Sequence, residues 1–572
     1  MKKRFTAEVI LKNFVIPSAV LLTYFGSFLF LSHLMHIEGV NTAFANRISK
    51  YLLAMMLLEI IVLLIVRIKS LEKIKIDKIR NEINIVELIF LFLPLTPVLQ
   101  YIITNSGILL PKDIAAILGF FIVFSLLYIV IIPFALSFLG TTKTLMALGI
   151  AFTTTITSMA LLSKQFNWFL HGSLKIQLLY FSVIFLLAYI TLNRKDLRFV
   201  YWLVLFYFLT NSTIQFINKS DQLLGTSHEA INREMSVLLE DKKPVFTPNI
   251  YLLVYDSYII NETLLEHGID NSDQENYLQS NGFVLYPKTY STGSATLETM
   301  RVVFQLSPDY SGESRSGVSG DGLIQKTLKK IGYKTIGLFE GDYWFKGATP
   351  TYDEFFPKTQ NEQFQFFISA ILIGEFRFDQ QFNSLTHQEF VEIKEDYFQQ
   401  LKEDKVFIYA HTELPNHSQN SGACLPNEIE LYAERIDRAN KEMKVDIENI
   451  IKSDPNSIII IAGDHGPYLT KNCYYTINEY GMETIDRLDI QDRFGAFLAI
   501  KWPTDDYDSY DQITIIQDLF PAILAYLYED PSPLQMRVDP VTQFRYSTSG
   551  AYVDNGIIIG GINDGEPLFL NE

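Results

Sequence analysis

At 572 residues the chain is too long for one ordinary domain, and a 48% hydrophobic content excludes a disordered polyelectrolyte. The net charge of −17 is unevenly spread: residues 1–218 hold 19 Lys+Arg and 9 Asp+Glu, the remainder 28 and 55. So acidic a second part argues against nucleic acid as a partner, because phosphate backbones would be repelled.

The break near residue 218 predicts a membrane domain over 1–218, a juxtamembrane stretch over 219–247 and an outer domain over 248–572. Seven apolar runs approach the roughly 20 residues that cross a hydrocarbon core. They are Phe14–Leu34, Tyr51–Val66, Ile83–Thr104, Ile114–Gly140, Leu145–Ser163, Gln177–Leu192 and Phe199–Phe216. The first is too long, and followed by too many others, for a cleaved signal peptide. Thr153, Thr154, Thr155, Thr157 and Ser158 interrupt the fifth, which stays a span if its hydroxyls bond back to the helix. Basic residues collect before span one and after spans two, four and six, with six between Arg67 and Arg80. The positive-inside rule then puts the N-terminus in the cytoplasm and everything after Phe216 outside. Glu59 and Glu87 are acids within the apolar runs, and no span offers a cation to pair with them. Between Lys219 and Thr247, Leu223, Leu224, Ile231, Met235, Leu238 and Leu239 suit an interfacial helix on the membrane or a plain linker.

Strands alternating with helices predict an α/β outer domain with a mostly parallel sheet covered on both sides. Ile250–Tyr255 reads as a buried strand ending in Asp256, which either ligates a metal or caps the next helix. A short strand over Phe283–Leu285 and a small-residue loop lead to a helix over Leu297–Gln305. Thr296 stands at that helix start, as an N-cap or as a nucleophile in the positive field of the helix end. A helix over Gly322–Ile331 and a strand over Tyr333–Leu338 precede Tyr343-Trp344-Phe345-Lys346, where Trp344 packs in the core or holds a lipid head group. The charged helix His387–Lys402 leads to strand Val406–Ala410 and then to a loop with His411 and His417. Glu428–Lys452 is an amphipathic helix covering the sheet.

The strongest stretch is Ser457–Pro467. Four isoleucines, Ile458–Ile461, form a strand buried on both faces, which stops at Ala462-Gly463 and presents Asp464 and His465. Sites in open α/β sheets collect at the carboxyl ends of strands, and a carboxylate beside an imidazole suits a divalent metal. A strand over Phe494–Ile500 and helical turns over Ile513–Leu527 complete the pattern. The chain's two cysteines, Cys424 and Cys473, both fall in the domain placed outside, and a bond between them is expected there.

Asp256, Thr296, His417, Asp464 and His465, in this order, resemble the alkaline phosphatase/sulfatase superfamily from about Pro248 to Leu527. The segment HTELPNH is similar to the His-bearing loop of membrane phosphoethanolamine transferases and lipoteichoic acid synthases, and YWFK resembles the FWNR segment of the latter. The resemblance implies one divalent metal ion, Zn²⁺ or Mn²⁺, on Asp256, Thr296, Asp464 and His465. It implies Thr296 as nucleophile, with His417 contacting substrate or donating a proton. Trp344, Lys346 and His411 would lie beside the donor head group, where Lys in place of Arg loses bidentate phosphate binding. A sulfatase would carry Cys or Ser in a C/S-x-P-x-R signature, whereas Thr296-Leu-Glu-Thr-Met300 has neither the Pro nor the Arg. The implied function is transfer of a phospho-head-group from a phospholipid donor to a surface glycan or glycolipid acceptor, at the cell membrane and on its outer face. A plain phosphate or sulfate ester hydrolase and a non-catalytic scaffold or sensor are the alternatives.

Overall fold

The computed structural model describes residues 84–104, 111–135, 142–165, 174–223, 234–308, 315, 317–347, 351–358, 383–401, 405–418, 425–471, 473, 480–543 and 545–570. The chain divides into two units, and Leu223 ends the first stretch of unit one.

Unit one is helical. A 3-10 turn Ile85–Leu91 runs into α1 (Phe92–Thr104); α2 (Pro111–Leu126), α3 (Thr142–Gln165), α4 (Leu174–Asn193) and α5 (Phe199–Leu223) follow. Expected spans one and two lie outside the described residues. Among those described, Ile85–Ile103 and Ile117–Phe134 are long and apolar enough to cross a membrane. Two hydroxyls of α3 bond back as anticipated, Thr153 to the Gly149 carbonyl at 2.8 Å and Thr157 to that of Thr153 at 3.0 Å, while those of Thr154 and Thr155 find no partner. One expectation fails. Glu87 does have a cation, for Lys143 Nζ lies 3.5 Å from its Oε1 and also donates to the Leu192 carbonyl. The partner comes from the start of another helix, where spacing along one span cannot reveal it.

Unit two opens with the described part of the juxtamembrane stretch. Met235 is buried in its core and Leu238 and Leu239 pack against it, so these three residues are part of unit two's packing. Val245 and Phe246 both donate to the Leu527 carbonyl, fixing the entry to β1 (Ile250–Tyr255). Then come α6 (Asn261–Glu266), α7 (Ser272–Ser280), β2 (Val284–Leu285), α8 (Thr296–Gln305), α9 (Leu323–Lys330), β3 (Lys334–Phe339) and β4 (Glu354–Phe356). The second half holds α10 (His387–Gln400), β5 (Val406–Thr412), α11 (Glu428–Ser453), β6 (Ile458–Gly463), α12 (Arg487–Phe494), β7 (Leu498–Lys501) and α13 (Leu519–Tyr528). A hairpin, β8 (Tyr552–Asp554) and β9 (Ile557–Ile559), closes it.

The sheet runs β2-β7-β6-β1-β5-β3-β4 and is mostly parallel, with β7 antiparallel to both neighbours. Both faces are buried. Ile250, Leu252 and Val254 enter one core with Phe304 and Phe520, while Tyr251, Leu253 and Tyr255 enter the other with Phe390 and Ile436. Burial on both sides explains why β1 and β6 read as unbroken apolar runs. Two boundaries differ from expectation. Phe494–Phe497 belongs to the end of α12 and a connector, since Asp486 caps that helix and carries it to Phe494. β5 runs on to Thr412, so His411 is a strand residue and not a loop residue.

Charges are buried behind β1 and β5. Lys394, 1% exposed, pairs with Glu442 and with Asp446 Oδ2 at 2.7 Å, and Tyr255 donates to Asp446 at 2.7 Å. Removing the cation leaves Asp446 without a charge partner and Glu442 with His387 Nε2 alone, at 3.1 Å, so Lys394→Met should destabilise the protein by about 3–5 kcal/mol. Replacing Lys394, Glu442 and Asp446 together by apolar residues should cost less. Thermal unfolding of the detergent-solubilised protein checks both, and a single variant no less stable than the triple one would contradict this account.

Candidate metal and nucleophile site

The site forms where β6, β1 and β5 end side by side. Parallel register sets Tyr255 opposite both Gly463 and Thr412, so Asp256 and Asp464 leave neighbouring strands at one level. Gly463 is required by close approach: a Cβ there would lie 1.8 Å from the Tyr258 carbonyl oxygen. Asp256 caps nothing, since Ile260 is the N-cap residue of α6.

The backbone turns sharply after each strand. Ser257, with φ +59°, donates its N–H to Asp464 Oδ1 at 2.9 Å, and His465 N–H donates to the same oxygen at 3.0 Å. Ser257 Oγ donates to Asp256 Oδ1 at 3.1 Å. His465 Nδ1 lies 2.8 Å from the Gly466 carbonyl, which can only accept, so the proton sits on Nδ1 and the lone pair of the neutral ring on Nε2. That Nε2 is 3.4 Å from Asp256 Oδ1, 3.5 Å from Asp464 Oδ2 and 3.4 Å from Thr296 Oγ1.

These spacings are those of ligands on one ion. Donors bound at about 2.1 Å around a tetrahedral ion stand roughly 3.4 Å apart. Asp464 Oδ2 is buried and accepts no hydrogen bond, which is costly unless a cation or donor meets it. Asp256, Asp464 and His465 offer ligand atoms all within 4.8 Å of one another. Electrostatics agree. Burial and then the Asp464 carboxylate push Asp256 up to about 7. Burial would raise Asp464 too, but positive charge on His465, which the two carboxylates favour, and the Ser257 N–H hold it below its ordinary value. Two carboxylates so placed compete for positive charge, and three oxygens with one nitrogen fit Zn²⁺ or Mn²⁺.

Thr296 is the first residue of α8, and the N-cap is Ala295, whose side chain cannot cap. The capping role is therefore not the one Thr296 fills. The preceding loop is held by Ser291 Oγ, 2.7 Å from Thr299 Oγ1 and bonded by Gln517, and by Glu298, which accepts from Ser294 N–H at 3.1 Å and from Tyr546.

His417 reaches the site by a stapled loop. Asn416 N–H donates to the Asp256 carbonyl at 2.9 Å, and Ser418 N–H to that of Pro467 at 2.8 Å. Its Nδ1 lies 2.7 Å from the Ser418 carbonyl, and burial pushes its pKa down. His411 is buried with Nε2 3.9 Å from Asp464 Oδ2, and desolvation pushes it down to about 4, so it is neutral. Trp344 is 43% exposed; the aromatic that packs inward is Phe345, 5.0 Å from the His411 ring. Lys346 Nζ stands 3.7 Å from Asp342. Cys473 is buried and disulfide-bonded; the chain's other cysteine, Cys424, lies outside the described residues. Tyr468, whose ring stacks on His465 at 5.4 Å, is a site residue that sequence reasoning missed. Its distance from any motif residue in the strand pattern left no signal beyond a Tyr three positions after His465.

No family model matches the chain, and no curated protein matches it. Solved structures similar to it include the C-terminal periplasmic domain of EcEptC from Escherichia coli in complex with Zn, at 10% identity over 55% of this chain and 93% of that one, TM-score 0.35. The C-terminal periplasmic domain of the phosphoethanolamine transferase EptC from Campylobacter jejuni is 14% identical over 52% of this chain and 96% of that one, TM-score 0.35. The lipoteichoic acid synthase LtaP from Listeria monocytogenes is 13% identical over 59% and 89%, TM-score 0.35.

Proposed function

We propose that the chain is a membrane-anchored, metal-dependent phosphotransferase. It moves phosphoglycerol or phosphoethanolamine from a phospholipid to a surface glycan or glycolipid through a phospho-threonine intermediate. The observation that carries this reading is the convergence of Asp256, Asp464 and His465 on the hydroxyl of Thr296 at a helix N-terminus.

A divalent ion on these residues supplies positive charge that lowers the hydroxyl pKa and offsets charge on the phosphoryl oxygens. Thr296 Oγ attacks phosphorus; the Oγ–P bond forms as the bond from phosphorus to the diacylglycerol oxygen breaks. The threonine proton ends on that oxygen. Open N–H groups at the start of α8 favour the phosphate. In the second half an acceptor hydroxyl attacks the same phosphorus, the Thr296–P bond breaks and the acceptor's proton restores the threonine. His417 is the base of this half, because the Ser418 carbonyl holds its proton on Nδ1 and burial keeps the ring neutral, leaving Nε2 to accept. The proton taken up at Nε2 makes the ring an imidazolium that keeps its Nδ1 hydrogen bond, and as donor it returns that proton to Thr296 Oγ. Trp344 at the end of β3 meets the donor head group, with Lys346 and His411 deeper.

Exposed Leu186, Leu187, Trp202 and Phe206 on α4 and α5 support lipid contact, with seven spans and the catalytic domain on the outer face. Reporters active only outside the membrane should then work after Phe216 and fail in the Arg67–Arg80 loop; the reverse pattern would sink the orientation.

Purified protein should retain about one divalent ion per chain by elemental analysis. Asp464→Asn should lose it, while Thr296→Ala, which keeps the carboxylates and imidazole, should hold it. After incubation with a bacterial lipid extract, mass spectrometry should find a phospho-head-group on Thr296. Thr296→Ala should lower turnover by about 10³-fold or more, and Thr296→Ser should keep part of the rate. Full turnover by Thr296→Ala would refute the nucleophile, and passage of the group to water instead of a sugar would make the protein a hydrolase. Wild-type protein without bound metal would favour a scaffold.

A further inference from the structure

Tyr468 is 4% exposed and stands with φ +60°, a left-handed conformation that a bulky aromatic keeps only where its surroundings over-determine it. The surroundings are specific. Its N–H reaches the Asp492 carbonyl at 3.4 Å, and the next N–H, of Leu469, donates to both Asp492 carboxylate oxygens at 3.0 and 2.8 Å. Gly466 permits this fold of the loop, since a Cβ there would lie 2.1 Å from the Asp492 carbonyl oxygen.

Held this way, the side chain touches three parts of the site. Its ring lies nearly parallel to that of His465, at 5.4 Å and 12°. It meets the His417 ring at 5.5 Å and 36°. Its hydroxyl donates to the Ser294 carbonyl, two residues before Thr296. The Arg493 guanidinium covers the ring, 4.7 Å from its centroid, and Arg493 in turn pairs with Asp492. One ring thus borders both imidazoles, and its polar tip ends on the turn that delivers the nucleophile.

We propose that Tyr468 is a positioning residue that orients the His465 and His417 imidazoles by ring contact and the Ser294–Thr296 turn by its hydroxyl. The imidazole plane decides where Nε2 points, and groups that orient a ligating histidine typically change metal affinity about 10–100-fold. The hydroxyl acts on a different quantity, the placement of Thr296 Oγ against a bound phosphodiester. The effect on turnover rests on the function proposed above; the effect on His465 requires only the metal site.

The test uses the full-length protein in detergent with Co²⁺ alone as probe, read by its visible absorption, comparing wild type, Tyr468→Phe and the ring-free, apolar Tyr468→Met. Tyr468→Phe keeps the ring and should bind Co²⁺ within about twofold of wild type, whereas Tyr468→Met should bind about 10–100-fold more weakly. With bis(p-nitrophenyl) phosphate as a generic phosphodiester, Tyr468→Phe should keep KM and lose about 10-fold or more in kcat. Equal Co²⁺ affinity and spectrum in Tyr468→Met and wild type would overturn the ring's role. So would equal losses in the Met and Phe variants. An unchanged kcat in Tyr468→Phe would overturn the hydroxyl's role, and that arm decides the matter if Tyr468→Met does not fold. A wild type that binds Co²⁺ but turns over no phosphodiester would refute the proposed function and leave the Co²⁺ comparison to judge Tyr468.

Discussion

Two carboxylates are forced together at the dry end of a parallel sheet, and the rest of unit two is arranged around that constraint. Asp464 is fully buried and the Asp256 side chain is 14% exposed. Strand register puts them there; neither can move away without unpairing β1 from β6. Protein donors satisfy one oxygen of Asp464 twice over, through the N–H groups of Ser257 and His465, and leave the other without a hydrogen bond. An unmet buried carboxylate oxygen costs several kcal/mol at least by the ordinary scale of about 1–3 kcal/mol for a neutral group, more for a charged one. A cation held between the two carboxylates would offset that cost.

The loops meeting there are held by the sheet's other layers more than by their own sequence. Arg435 of α11 donates to the Pro415 carbonyl at 2.7 Å and to that of His417 at 3.3 Å, from behind the loop that bears His417. Glu340, just past β3, accepts from the Glu413 N–H at 2.9 Å and lies 3.2 Å from His387 Nδ1. The C-terminal segment closes on the nucleophile's side: Gln543 N–H donates to the Thr292 carbonyl at 2.8 Å, and Tyr546 to Glu298. Positioning groups therefore come from residues as far along the chain as 546, although the groups in direct contact with one another lie between 256 and 465.

This division decides what was legible in the sequence. β1 and β6 were legible because burial on both faces leaves an unbroken apolar run, and Asp256, Asp464 and His465 because they end those runs. Thr296 was legible as a hydroxyl at a helix start. What failed needed a partner distant in sequence. His411 belongs to β5 because it pairs with Val254 and Phe339, not because of its neighbours. Phe494 is the exception, for the helix it ends opens with a local capping box of Asp486 and Asp489 that sequence reasoning missed. Trp344 is exposed and Phe345 buried because His411 and Phe339 offer a surface to one ring only. The Glu87–Lys143 pair and the packing of Met235 likewise join segments that no local pattern links.

The start of α8 shows the same logic in one helix. Ser, Thr, Asp or Asn at its N-cap would stabilise it by about 1 kcal/mol over the Ala295 found there. A capping side chain, however, would bend back onto the first N–H groups and occupy the end that the proposed reaction leaves to an anion. Stability is restored from outside that end: Glu298 ties Ser294 to the first turn, and Ser291 ties the loop to Thr299 and Gln517. Thr296, one position into the helix, then keeps its hydroxyl out of capping and 3.4 Å from His465 Nε2. A local rule is broken at one residue, and the compensation comes from neighbours that leave the helix end open, as the proposed phosphotransfer would require.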